Sequence, residues 1–149
     1  MSVTIRELRP ADEDRWRELW RGYCDFYEKA LADEVTDATW RRLLDEKETD
    51  MFSLMACDGD GLVVGMVNCV LHPVTWGQAP VCYLEDLFVD PAARKLGAGG
   101  ALIEAVRERG RTRNWHRVYW KTKSDNAPAR SLYDKVADGT DWVTYEIAL

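Results

Sequence analysis

One stretch constrains this chain more than any other: Val89-Asp90-Pro91-Ala92-Ala93-Arg94-Lys95-Leu96-Gly97-Ala98-Gly99-Gly100. An apolar run over residues 81–89 ends where it begins. A helical pattern with Leu102, Ile103 and Val106 on one face starts within it, over residues 96–113. Glycines at such a junction let a ligand approach the backbone closely. The unbonded N–H groups of the helix start point outward with the positive end of the dipole behind them, an arrangement that suits a pyrophosphate. No GK[ST] follows Gly100, so this is not a Walker loop, and GxGG lacks the third glycine of a dinucleotide fingerprint. A strand delivered into a helix in this way calls for a sheet with a helix packed on it.

The rest of the chain fits that demand. Residues 4–8 alternate weakly and read as a short strand. Asp12 is placed to cap a long helix in which Trp16, Leu19, Trp20, Tyr23, Phe26 and Tyr27 recur at three-and-four spacing. A second helix is expected over residues 36–46. Strands over residues 52–57 and 62–71 flank Asp58-Gly59-Asp60-Gly61, a hairpin signal. After a loop over residues 72–80 come the strand of residues 81–89, the helix, a strand over residues 117–121, and a helix over residues 126–136. Asn126 caps that last helix and Pro128 lies in its first turn, where its missing N–H costs nothing. A final strand is expected over residues 142–147. The whole is an α/β (α+β) fold, one domain over residues 1–149, with a mixed and mostly antiparallel sheet and helices on both faces.

Charge divides the chain. Residues 25–50 hold nine acids and four bases, whereas residues 94–123 hold nine bases and two acids. The split suggests a cationic substrate and an anionic, phosphorylated cofactor, although two solvated helix faces give the same counts. The net charge of -6 argues against nucleic-acid binding. No apolar stretch approaches the roughly 20 residues of a membrane span, and the first ten residues lack the apolar core of a signal peptide. Cys24, Cys57, Cys69 and Cys82 show no metal-ligand spacing, so reduced, buried thiols in a cytoplasmic protein and no metal site are expected.

Arg94-x-x-Gly97-x-Gly99 after an apolar strand resembles the acyl-CoA-binding motif of the GNAT superfamily of N-acetyltransferases. Asn126-x-x-Ala129-x-x-x-Tyr133, one strand later, resembles that family's other signature. The likeness covers the whole chain in order of elements, with Lys95 standing where many members have glycine. Tyr83-Leu84-Glu85-Asp86-Leu87-Phe88-Val89, with Trp76 before it, is similar to the diamine (spermidine/spermine) N-acetyltransferases, and equally to the small histone/polyamine and D-amino-acid N-acetyltransferases.

The resemblance implies acetyl-CoA as cofactor and a central strand pair that splays apart. Free N–H groups of Leu87, Phe88 and Val89 would bind the pantetheine arm, and Arg94, Lys95, Leu96, Gly97, Ala98, Gly99 and Gly100 the pyrophosphate. Asn126 would touch the cofactor, although capping alone explains it. Acetyl transfer needs a neutral amine, and an ammonium near its reference pKa of roughly 10 must first lose a proton. Glu85, working through a water, is the expected base, and Asp86 an ammonium contact or second base; an acid pair bridging to Arg or Lys at a sheet edge is the alternative. Strict alternation would put Tyr83, Glu85, Leu87 and Val89 on one face and Leu84, Asp86 and Phe88 on the other, unless a bulge intervenes. Tyr133 is the expected acid for the leaving thiolate, or else a half-buried helix residue. Asp25, Tyr27, Glu28 and Trp76 would line an acidic, aromatic mouth, or else form a solvated helix end and a loop anchor. The expected function is direct acetyl transfer to a small primary amine, a polyamine or amino acid. A protein-tail lysine acetyltransferase and an inactive acyl-CoA sensor are the alternatives. The apolar residues 142–149 suggest a shared edge strand and hence a homodimer.

Overall fold

The computed structural model describes residues 2–149. Its strands β1 (Thr4–Glu7), β2 (Met51–Cys57), β3 (Val63–His72), β4 (Val81–Val89) and β5 (Arg117–Tyr119) form one sheet in that order. The first four pair antiparallel, and β5 runs parallel to β4. Helices α1 (Glu13–Phe26) and α2 (Asp33–Leu44) cover one face, and α3 (Ala98–Arg113) and α4 (Ala127–Val136) pack on the other.

The α1 face is built on tryptophan. Three-and-four spacing brings Trp16, Leu19, Trp20 and Cys24 to the buried side of α1. There Trp16 stacks on Trp20 at 5.5 Å and meets Trp40 of α2 at 5.4 Å. The stack continues outward along the helix from Trp20 to Tyr23 at 5.6 Å, and Tyr27, just past the helix end, lies tilted against Tyr23 at 4.9 Å. The α3 face is aliphatic, with Leu102, Ile103 and Val106 set against Leu54, Val67, Cys69 and Leu84 of the sheet. All four cysteines are buried and free.

Three expectations are corrected. Asp12 does not cap α1 with its side chain; its carboxylate takes a bidentate pair from Arg6 at 2.8 and 2.9 Å and the Arg9 N–H at 2.8 Å. A charged fork outcompetes helix amides for one carboxylate, which ties β1 to the start of α1. The helix of residues 96–113 starts later, at Ala98, because Pro91–Leu96 winds as a 3-10 helix that ends in Gly97 at φ 76°. Residues 142–147 form no strand, and Trp142, Val143, Tyr145 and Ile147 are 76–93% exposed. Their alternation is that of a strand, but nothing among the described residues pairs with them.

Trp16 is fully buried between two other indoles. Trp16→Ala should therefore lower stability by about 3–5 kcal/mol. A urea titration checks this, with the midpoint falling and the slope unchanged.

Candidate active site

Strand β4 keeps a neighbour on one side and loses it on the other. It pairs with β3 over its length, but with β5 only at Val81, Cys82 and Tyr83. From Leu84 onward its second edge is open, which is the splayed pair that the sequence led us to expect. The ladder to β3 fixes which amides face the opening. The Asp90 N–H donates to the Val64 carbonyl at 2.8 Å. In an antiparallel ladder alternate residues then turn the same way, so Asp86 and Phe88 bond toward β3 while Leu87 and Val89 present their N–H groups to the open edge. Phe88 is thus not among the free amides. Its ring instead packs on the α1 side, where the absence of a side chain at Gly22 makes room: a Cβ there would lie 2.7 Å from the Phe88 ring.

A β-bulge sits in the middle of this strand. Asn68 pairs with Asp86 and Cys69 with Leu84, which leaves Glu85 without an opposite. The extra residue breaks strict alternation. Leu84, Leu87 and Val89 all pack toward α3, whereas Asp86 and Phe88 face α1. Glu85 is exposed at the bulge and Asp86, beside it, is 8% exposed.

Asp86 is held from inside the protein. The Asn68 amide donates to it at 3.1 Å, and the Asn68 oxygen accepts in turn from Ser53 Oγ at 2.9 Å and from Trp16 Nε1 at 3.4 Å. Burial pushes the Asp86 carboxyl up to about 6; the Asn68 amide and the neighbouring Tyr23 hydroxyl work against that shift, and the Glu85 charge adds to it. Tyr23 reaches the Glu85 carbonyl at 3.4 Å, and burial next to Asp86 raises its own pKa. Tyr83 and Tyr119 stack at 4.8 Å at the point where β4 and β5 part. Tyr23, Asn68 and Tyr83 therefore belong to this site, and the sequence reading did not pick them out. Tyr23 recurs at the same spacing as the core tryptophans, so only its hydroxyl distinguished it.

Below the acids lies the start of α3. The N–H groups of Ala98, Gly99 and Gly100 precede the first helical bond, made by Ala101 to the Gly97 carbonyl. A Cβ at Gly97 would meet nothing within 4 Å, so its requirement for glycine lies in the backbone angle, and the space above it is open. Arg94 and Lys95 are exposed beside it and Leu96 is half-buried, with Arg94 Nε 3.4 Å from the Val89 carbonyl. Asp90 anchors the loop. It caps the 3-10 helix through the Ala92 N–H at 2.9 Å and pairs with Arg15 of α1 at 2.5 Å, which holds its carboxyl below the usual range. These residues fit a pyrophosphate and the thioester arm that would leave it along β4.

The opposite wall belongs to α4. Tyr133 is half-buried and meets Trp120 edge-on at 5.4 Å. Burial, with a smaller contribution from Tyr27 across the opening, pushes its hydroxyl up to about 12. Asn126 caps α4: its oxygen accepts the Ala129 N–H at 3.4 Å and its amide donates to Thr122 at 3.1 Å. Of the residues expected at the mouth, Tyr27 packs against Tyr23 at 4.9 Å, next to Asp86. Asp25 lines a groove of about 440 Å³ with Phe88, Asp90 and Arg94 instead. The side chains of Glu28 and of Trp76, which is 80% exposed, make no hydrogen bond, ion pair or ring contact with the site among the described residues.

Comparison with known proteins agrees with this fold. The model of the Acetyltransferase (GNAT) family matches residues 14–137. A D-amino-acid N-acetyltransferase, HPA3 of Saccharomyces cerevisiae, is 33% identical over 145 residues, covering 97% of this chain and 89% of its own. An aminoglycoside N(6')-acetyltransferase type 1 of Salmonella typhimurium is 27% identical over 141 residues, covering 90% and 87%. Among solved structures, AAC(6')-Iy in complex with a bisubstrate analogue of CoA superposes with a TM-score of 0.83 at 21% identity, covering 100% of this chain and 99% of that one.

The raised Asp86 pKa has a consequence for stability. Its folded value of about 6 lies above the ordinary 3.8, so its contribution is present in full below pH 3.8 and is lost as pH rises through about 6. Asp86→Asn, which removes that buried charge, should raise stability at pH 8 by roughly 1–3 kcal/mol and flatten the dependence between pH 4 and 6. Urea unfolding at pH 4 and pH 8 checks both.

Proposed function

We propose that this chain, which belongs to the acetyltransferase (GNAT) family and is an acetyl-CoA-dependent N-acetyltransferase, passes the acetyl group directly to the primary amine of a small cationic molecule, a polyamine or an amino acid. The observation that carries the reading is the open edge of β4. It sets Glu85 and Asp86 at a bulge immediately before the free amides of Leu87 and Val89, with the start of α3 below them.

Acetyl-CoA, when bound, supplies an activated thioester. The N–H groups of Gly97, Ala98, Gly99 and Gly100, with Arg94 and Lys95, hold its pyrophosphate. Leu87 and Val89 would donate to the arm, with their N–H groups placed where a thioester carbonyl would gain negative charge. Asp86, ionised above about pH 6, holds the acceptor's ammonium against the tyrosines of the mouth. Glu85, exposed at the bulge, removes the amine proton through a water. Tyr133 stays protonated at neutral pH, with its hydroxyl pushed up to about 12, and gives its proton to the leaving thiolate. Asn126 orients α4 so that Tyr133 faces the opening, and its amide is spent on Thr122.

The setting follows from the same features. Four buried free cysteines support a cytoplasmic protein, and among the described residues no helix is long and apolar enough to cross a membrane. The exposed apolar segment at residues 142–149 supports a homodimer. A relative that acts on D-amino acids and another that acts on aminoglycosides support a small acceptor over a protein tail.

Thiol release from acetyl-CoA should be measured against spermidine, putrescine, lysine, D-amino acids, thialysine, an aminoglycoside and a histone-tail peptide. Turnover is expected on a small amine, with kcat/KM rising through about pH 6 as Asp86 ionises. Turnover on the peptide alone would move the acceptor to protein tails, and tight binding without turnover would mean a sensor. Tyr133→Phe should lower kcat by about 10²-fold or more with acetyl-CoA affinity nearly unchanged. An unchanged kcat removes Tyr133 from the chemistry.

A further inference from the structure

Two arginines of α1 are used in different ways. Arg17 pairs with Glu13 and Asp37 at the surface. Arg15 instead divides its guanidinium among three acceptors. Its Nε donates to the Val63 carbonyl at 2.7 Å, one terminal nitrogen donates to Glu18 at 2.7 Å, and the other to Asp90 at 2.5 Å. A planar fork of donors can satisfy acceptors in three directions at once, which an ammonium on a flexible stem does not. The pair with Asp90 crosses from α1 to the loop that opens α3. Its side chains are only 24% and 27% exposed, so salt screens it less than a surface pair.

Asp90 is an awkward neighbour for a pyrophosphate. Its backbone fixes it there: the N–H donates to the Val64 carbonyl, and Oδ1 accepts the Ala92 N–H to cap the 3-10 helix that delivers Gly97. Its charge has the same sign as the ligand. It also lines one groove together with Arg94, Arg15 and Glu18. A carboxylate so placed opposes an anion site in two ways, by repelling phosphates and by drawing the Arg94 guanidinium to itself. Arg15 takes that carboxylate first. It is the main cause of the lowered Asp90 pKa, with the Ala92 N–H next and Arg94 adding least. Arg94 itself enters no ion pair among the described residues. Its Nε lies 3.4 Å from the Val89 carbonyl and its guanidinium 5.8 Å from the centre of the Phe88 ring.

We propose that Arg15, on α1 and outside the Arg94–Gly99 motif, is a positioning residue for acetyl-CoA: by pairing with Asp90 it cancels a charge beside the cradle and leaves the Arg94 guanidinium free for the pyrophosphate. The role rests on residues 94–100 being the pyrophosphate site. A mechanical tie between α1 and the loop would use the same contact, but the two roles respond in opposite ways to removal of the Asp90 charge.

Isothermal titration calorimetry of CoA into the intact chain separates them. Arg15→Gln should weaken binding by about tenfold or more, the order of one lost charge-assisted contact. Adding Asp90→Asn should restore most of that affinity, because asparagine still caps through its side-chain oxygen and no longer competes for Arg94. For a tie, the double variant binds no better than Arg15→Gln. That outcome overturns the proposal, as does wild-type affinity in Arg15→Gln. If Arg15→Gln does not fold, Asp90→Asn alone decides. It should bind CoA about threefold more tightly, since Arg15 then stands uncompensated beside the phosphates; equal or weaker binding overturns the proposal. A wild-type chain that binds no CoA overturns the reading of the loop and this role with it. Wild-type binding with an unresponsive Arg15→Gln overturns this role alone. The heat of binding reports all of this without acetyl transfer.

Discussion

The parting of β4 from β5 after Tyr83 is the constraint on which the rest of the molecule depends. A central strand with one edge unpaired is a liability in most sheets, because its amides seek a partner. Here the unpaired edge starts beside the bulge and ends at the loop that opens α3, so a ligand laid along it meets backbone donors at both ends. The ladder to β3 makes the choice of donors discrete. Leu87 and Val89 turn outward because Asp90 and Phe88 turn inward, and a one-residue slip would reverse them.

The bulge performs a second task. Without it, two adjacent residues of a strand must face opposite sides, and one of two neighbouring acids would be driven into the aliphatic core beneath α3. The extra residue lets Glu85 stay in solvent while Asp86 faces α1, where Asn68, Ser53 and Trp16 form a hydrogen-bonded support. A buried carboxyl is tolerated when its partners are fixed, and these partners come from three different elements. The buried carboxyl and the indole core are joined at Asn68, so a change in the packing there reaches the carboxyl as well.

Much of this was legible in the residues. Alternation and three-and-four spacing located every strand of the sheet and all four helices to within a few positions, because those periods follow directly from which face is buried. Arg94, Gly97 and Gly99 marked the loop, and two acids inside an apolar strand marked the site. What escaped notice had physical reasons. One inserted residue leaves no trace in the letters of a strand, so alternation grouped Leu84 with Asp86 and Phe88, whereas the bulge turns it to the face of Leu87 and Val89. Asp12 looked like a cap because Arg6, its true partner, lies on another element. Residues 142–147 have the pattern of a strand, and pattern alone does not reveal whether a neighbour exists. Asp25, Glu28 and Trp76 have the right chemistry for a cation, but residue type alone does not say how far each lies from Asp86.

The ladder of rings along α1 makes the two sides of the opening mechanically unequal. Trp16, Trp20 and Tyr23 are stacked in series and Tyr27 lies tilted against the last, with the first locked in the core, so none can change rotamer without disturbing the next. That side is a stiff template. The facing side, made of α4 with no fully buried residue and of a three-residue strand, has far less holding it. Any displacement of the α4 side would therefore carry Tyr133 with it, while Glu85, Asp86 and the tyrosines beside them keep their places. The α1 wall is thus the fixed reference of the cleft and the α4 wall its compliant side.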